Sequence, residues 1–374
     1  MVWDFGVGME VEDARQATPF RQAQGRLGLA LLWLVFAGCQ SSKTQASEGP
    51  AMSLPSRVHG ANVRPVGDPR RGYGSDKAKE TLARLAHMGV NTIGVLLEGR
   101  VTSVEAPEVR PIEAGVREDV RAFLRDAADL GFATILVPHL YVDDGSWRGY
   151  LDPREPAERA RFFDTHAEFI RTAASDAAAG RASAISIGVE LKALSGAPDT
   201  AAYMRALARD VRSLFEGQLT YSANWDEAES VAFWDAVDLA GVNGYYPLEP
   251  DPERGAEAVA RRLTALSART KKDVLVLEAG YRSGPLSYVR PWEWPEDVAD
   301  DVDLDVQAKT WAAVLSSWPH AKGVRGLMLW IVPTDPDDPA SEPPNGFSPI
   351  NKPAEEVIRR AFQGGRATDR VTDP

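Results

Sequence analysis

Two glutamates in this chain each close an apolar run. Glu190 follows Ile185-Ser186-Ile187-Gly188-Val189, and Glu278 follows Val274-Leu275-Val276-Leu277. A carboxyl group in that position stands where the chain emerges from a core, partly screened from water. Two such groups, one protonated and one ionised, are what cleavage of a glycosidic bond requires. One donates a proton to the leaving oxygen; the other attacks the sugar or activates water. A single strand-end glutamate is more commonly a salt-bridged rim residue. Two of them after apolar runs point instead to a catalytic pair, Glu190 and Glu278.

The ends of the other apolar runs carry groups suited to a sugar. They are His139 with Trp147 in the loop beyond it, Asn224 and Trp225, Asn243 with Tyr245 and Tyr246, Arg282, and Trp330. Flat aromatic faces match the C–H faces of sugar rings, and Asn, His and Arg can hydrogen-bond hydroxyls. Plainer readings stand beside these. His139 equally fits a satisfied rim histidine, Trp225 a ring packed beneath a loop, and Trp330 a core aromatic.

Such residues need a scaffold that gathers strand ends at one face. Short apolar runs begin at Val58, Thr92, Ala133, Ala184, Leu219, Leu239, Val274 and Val324. Between them lie segments of helical period at Asp76–Met88, Val116–Leu130, Pro156–Ala178, Thr200–Phe215, Asp226–Val237, Glu253–Arg269 and Val302–Trp318. Ala354–Phe362 closes the series. Near-continuous apolar runs read as parallel strands buried on both faces, and the segments between them carry an apolar stripe. Glycines 89, 131 and 217 follow three of these segments as stop signals. Eight alternating units predict a single α/β domain, a (β/α)₈ TIM barrel over residues 57–364, with reactive groups at the C-terminal ends of its strands. Thr334–Pro349 reads as the loop after strand eight, and residues 365–374 as a tail.

Composition narrows the remaining classes. The 374 residues are 44% hydrophobic and 26% charged, which excludes wholesale disorder and a polytopic membrane protein. A net charge of −12 without a basic patch argues against nucleic acid as a partner. The single cysteine excludes an intramolecular disulfide and a cysteine-based zinc site. Asp301-x-Asp303-x-Asp305 imitates half a calcium loop, but Val306 and Ala312 stand where glycine and glutamate belong, so it reads as an acidic loop entering a helix. No HExxH spacing, strand-borne GxGxxG or Walker-type lysine is present. No metal and no organic cofactor is expected.

That cysteine, Cys39, ends the run Leu27–Cys39, which suits a signal-peptide core behind Arg21 and Arg26. Phe36-Ala37-Gly38-Cys39 resembles a bacterial lipobox, with Phe36 in place of the usual leucine. Residues 1–38 are therefore expected to be a lipoprotein signal peptide, with a start assigned too far upstream to explain the polar first 24 residues. Residues 39–56 read as a flexible tether. The expected protein is an exported monomer held in the bacterial envelope by lipid on Cys39, with no other membrane contact.

The strand-end residues together resemble glycosidase clan A and, more narrowly, the β-mannanase-like barrels of glycoside hydrolase family 113. The segments that carry the likeness are Ile187–Leu191, Ser222–Trp225, Gly241–Leu248, Leu277–Ser283 and Gly346–Ala354. The resemblance implies a retaining, endo-β-mannanase-like hydrolase of β-linked, mannan-type carbohydrate. By it, Glu190 would be the acid/base and Glu278 the nucleophile. Trp330 would be the platform beneath the sugar, and Tyr245 or Tyr246 would hydrogen-bond the nucleophile. One departure is Val189, where the clan commonly has an asparagine that binds the sugar 2-hydroxyl. That leaves a carbohydrate-binding surface lipoprotein without turnover as the alternative.

Overall fold

A computed structural model describes residues 52–299 and 301–369. The apolar run ending at Cys39, and most of the expected tether, lie outside the described residues. The chain forms eight parallel strands: β1 (Val58–Arg64), β2 (Thr92–Val101), β3 (Ala133–Val142), β4 (Ala184–Val189), β5 (Gln218–Asn224), β6 (Leu239–Asn243), β7 (Val274–Ala279) and β8 (Val324–Pro333). Each pairs with its sequence neighbours and β8 pairs with β1, so the sheet closes in the order of the sequence. This is the expected (β/α)₈ barrel.

The helices outside it are α1 (Asp76–Met88), α2 (Ala114–Asp129), α3 (Pro156–Ala179), the short α4 (Lys192–Ser195), α5 (Pro198–Arg212), α6 (Pro252–Thr270), α7 (Leu304–Ser317) and α8 (Pro353–Asp369). Local chemistry sets several of their ends. Ser75 accepts a hydrogen bond from the Ala78 amide at the start of α1, and Gly89 closes that helix at φ +92°. Asp303 accepts from the Val306 amide and so caps α7. The acidic loop read before that helix therefore contains its N-cap. α8 continues through Asp369, past the expected end of the domain at residue 364.

One expected helix is not formed. Residues 226–237 make a succession of tight turns ending in a 3₁₀ turn at Trp234–Ala236. Glu227 bends back, so that its carboxylate accepts from the Asn224 amide at 3.0 Å and from the Tyr221 phenol at 2.5 Å. The Trp234 indole donates to the Ala228 carbonyl at 3.0 Å. These contacts override the helical period, which is only a weak local preference.

Two apolar layers result. One lies between strands and helices. The other fills the barrel and includes Ile135, Val137, Val189, Tyr245, Leu277, Met328, Trp330 and Phe347. Within the barrel, Asn62 on β1 donates to the carbonyls of Leu277 at 2.8 Å and Leu329 at 3.3 Å. It thereby ties down the peptide just before Glu278. Gly94 on β2 gives Asn62 its room, since a Cβ there would lie 2.0 Å from the Asn62 Oδ1. Gly94→Ala is expected to lower stability by about 1–3 kcal/mol through overpacking. Urea unfolding checks this, and an unchanged midpoint would refute it.

Candidate active site

Glu278 lies in β7 and Glu190 immediately follows β4, with 4% and 5% of their surface exposed. Oε1 of Glu278 is 3.0 Å from His139 Nε2, and Oε2 accepts from the Tyr245 hydroxyl at 2.7 Å. Burial, and then the charge of Glu278, hold the Tyr245 phenol well above its ordinary pKa, so it stays a proton donor. The other His139 nitrogen faces the Val137 carbonyl at 3.2 Å, which orients the ring.

Glu190 accepts three hydrogen bonds. Its Oε2 receives the Trp147 indole N–H at 3.0 Å and Arg148 Nη1 at 2.9 Å. Its Oε1 receives the Asn243 amide at 3.0 Å. Burial, the largest single influence, works against the charge of Arg148, but Glu190, Tyr141 and Glu278 together outweigh it and hold the guanidinium above its ordinary value. Asn243 and Tyr245 are two residues apart, about 6–7 Å of extended chain, and each holds a different carboxylate. One short segment thus positions both acids at the same mouth.

The Glu190 backbone has φ +52°, the left-handed region that non-glycine residues rarely occupy. The floor of the mouth is apolar. Trp330 lies with its ring centroid 5.7 Å from that of His139, and the Trp330–Ile331 peptide is cis. Val189 belongs to the same interior layer as Tyr245 and Trp330.

Of the residues singled out from the sequence, Glu190, Glu278, His139, Trp147, Asn243, Tyr245 and Trp330 therefore come together. The others make different contacts; Asn224 stands beside Asn243 in the register of β5 and β6, and Trp225 packs against the interior layer. Tyr245 and Tyr246 face opposite sides of the barrel wall. Tyr246 packs in the outer layer against Trp225 and Trp318, beneath the guanidinium of Arg262. Trp225 stacks on the half-exposed Trp292, with centroids 5.8 Å apart and planes at 16°. The Asn224 amide donates to Asp226 at 2.8 Å. Arg282, singled out for a sugar hydroxyl, is fully buried and pairs with Glu293 at 3.4 Å. The bonds described on Glu278 come from His139 and Tyr245.

Sequence reasoning missed Arg148, although it adjoins Trp147. It also missed Tyr221 and the fully buried Glu227, whose carboxyl burial pushes up to about 7. The clue to Glu227 was its place three residues after Asn224, inside a segment read as a helix.

Two opposed, buried carboxyl groups beside aromatic rings can divide acid and nucleophilic roles across a glycosidic bond. Comparison with known proteins agrees with action on glycosidic bonds. The β-mannanase AaManA from Alicyclobacillus acidocaldarius, solved in complex with ManMIm, superposes with a TM-score of 0.73 at 26% identity, covering 84% of this chain and 99% of that one. A family 113 β-1,4-mannanase complex gives a TM-score of 0.72 at 22% identity, covering 83% and 99%. A family 5 enzyme from Streptomyces cattleya, in complex with Manb1-4GlcNAc, shares the fold at a TM-score of 0.58 and 16% identity, covering 84% and 81%. No curated protein sequence matches significantly. Residues 66–345 match the family model of Glycoside Hydrolase Family 113, and the chain belongs to that family.

Proposed function

We propose that this glycoside hydrolase cleaves β-linked, mannan-type chains with retention of configuration. In this reading Glu190 is the general acid/base and Glu278 the nucleophile. The observation that carries it is the division of donors: His139 and Tyr245 hold Glu278, while Trp147, Arg148 and Asn243 hold Glu190. His139 and Tyr245 hold the Glu278 carboxylate in place as the attacking group. The substrate class is supported by the β-mannanases that the chain resembles.

The reaction then proceeds in two steps. A Glu278 oxygen bonds to the anomeric carbon as the glycosidic bond breaks, and the leaving oxygen takes the proton of Glu190. Glu190 next removes a proton from water, whose oxygen displaces Glu278 from the sugar. An incoming sugar oxygen replaces one of the three donors on Glu190. Trp330 supplies a flat face beneath the ring. Val189 offers no hydrogen bond to a 2-hydroxyl, so the sugar is gripped by other groups, with His139 and Asn243 available beside the two acids. Binding without turnover is the weaker reading, because a mere binder needs neither buried acid.

The test is incubation of the described domain with manno-, gluco- and xylo-oligosaccharides, with the anomer first released followed by NMR. Release of the β-anomer from the manno series is expected. An α-anomer would overturn retention, and turnover confined to another series would overturn the sugar. Tyr245→Phe removes one hydrogen bond from a charged acceptor and is expected to lower kcat about 10–100-fold. Steady-state kinetics check this; an unchanged kcat would show that the bond does not matter to the reaction.

Export and lipid anchoring at Cys39 remain part of the proposal, supported by the Leu27–Cys39 run. Cys39→Ser is expected to abolish incorporation of labelled fatty acid in a bacterial host. Labelling that persists would refute the anchor.

A further inference from the structure

We infer that Glu227 is a positioning residue for Glu190, acting through the Tyr221 phenol on the backbone amide of Leu191. The inference rests on the acid/base reading of Glu190. Three hydrogen bonds compose the relay. The Leu191 amide donates to the Tyr221 hydroxyl at 2.8 Å, that hydroxyl donates to Glu227 Oε1 at 2.5 Å, and the Asn224 amide donates to Glu227 Oε2 at 3.0 Å.

Every part of the relay is buried. Tyr221 and Glu227 have no exposed surface. The Tyr221 ring is held edge-on by Phe233 at 4.9 Å and Trp234 at 6.0 Å. Gly188 lets the ring lie close to β4, since a Cβ there would stand 3.1 Å from it. A carboxyl taken wholly out of water is costly unless its oxygens are bonded. No basic side chain bonds to Glu227 among the described contacts. A structural core would manage more cheaply with an apolar side chain.

What the relay secures is the peptide after Glu190. That residue sits at φ +52°, a conformation that persists only where the surroundings over-determine it. Its own amide donates to the Ser222 carbonyl at 2.8 Å, which fixes one side. The Leu191 amide bond fixes the other. Together they set the direction in which the Glu190 side chain leaves the backbone. Without the relay, the plane between residues 190 and 191 is free to turn, and the acid drifts from the leaving oxygen.

A neutral amide at position 227 cannot serve both ends of the relay. If its oxygen accepts from Tyr221, its NH₂ faces the Asn224 N–H; if reversed, it faces the phenol proton. Glu227→Gln and Tyr221→Phe should therefore displace Glu190 and spare Glu278. The measurement is kcat/KM on two glycosides of whichever sugar the wild type cleaves. One is the plain oligosaccharide, whose departure needs a proton; the other carries a dinitrophenyl leaving group, whose departure does not.

The expected result for both variants is a fall of about 10–100-fold on the oligosaccharide, the size of effect a misplacement near 1 Å produces. The dinitrophenyl glycoside should stay within about threefold of wild type, since only a transition-state interaction with the acid is lost. Equal losses on both substrates, or no loss on either, would overturn the inference. Tyr221→Phe keeps the ring and carries the test if Glu227→Gln does not fold. Glu190→Gln run in parallel separates two failures. If it shows the split and the relay variants do not, only the inference falls. If it shows no split either, the acid/base reading falls with it.

Discussion

Glu278→Gln is expected to lower kcat by roughly 10⁴-fold or more while leaving the fold intact. The substitution keeps the size of the side chain and removes the charge and the nucleophilic oxygen. Its amide oxygen can accept from His139 Nε2, and the Tyr245 hydroxyl can turn to accept from its NH₂. Thermal unfolding should therefore move little, since a buried anion has been exchanged for a neutral group of the same shape. The covalent step gives an independent reading. A 2-fluoro sugar with a good leaving group should add its mass to the peptide containing Glu278 in the wild type and to nothing in the variant. Residual activity above about 1% of wild type would show that Glu278 is not the nucleophile.

Glu190→Gln is expected to cost about 10²–10⁴-fold on oligosaccharides, the usual worth of general acid–base catalysis. The loss should shrink sharply on a dinitrophenyl glycoside, which leaves without a proton. Added azide should then restore turnover by attacking the glycosyl-enzyme in place of activated water. Stability should fall as well, by about 1–3 kcal/mol. Arg148 loses its counter-charge, and one of the three donors now on Glu190 must face the NH₂ group. An equal loss on both leaving groups, with no azide effect, would move the acid/base role to another residue.

Several features of this site were legible in the sequence because burial leaves a local trace. A strand buried on both faces reads as an unbroken apolar run, so a glutamate at its end stands out, as Glu190 and Glu278 do. The same logic located His139, Asn243 and Trp330. Eight such runs alternating with helical segments implied a closed barrel, since each strand needs a neighbour and each helix a face to cover. The helix read at 226–237 failed for the converse reason. Val231, Phe233, Trp234 and Val237 pack inward through turns because Glu227 and Trp234 find partners on nearby backbone.

Sequence alone determined the barrel, the two acids and most of the ring of side chains around them. Tertiary structure decided which of two adjacent tyrosines reaches Glu278, because alternation along an extended chain gives each neighbour an opposite face. It also brought Arg148 to Glu190 across 42 residues and Tyr221 to the Leu191 amide across 30. Such pairings leave no mark on local composition. They arise only when the barrel closes and sets the loops of separate strands side by side, where a buried charge must find its donors among whatever neighbours the fold supplies.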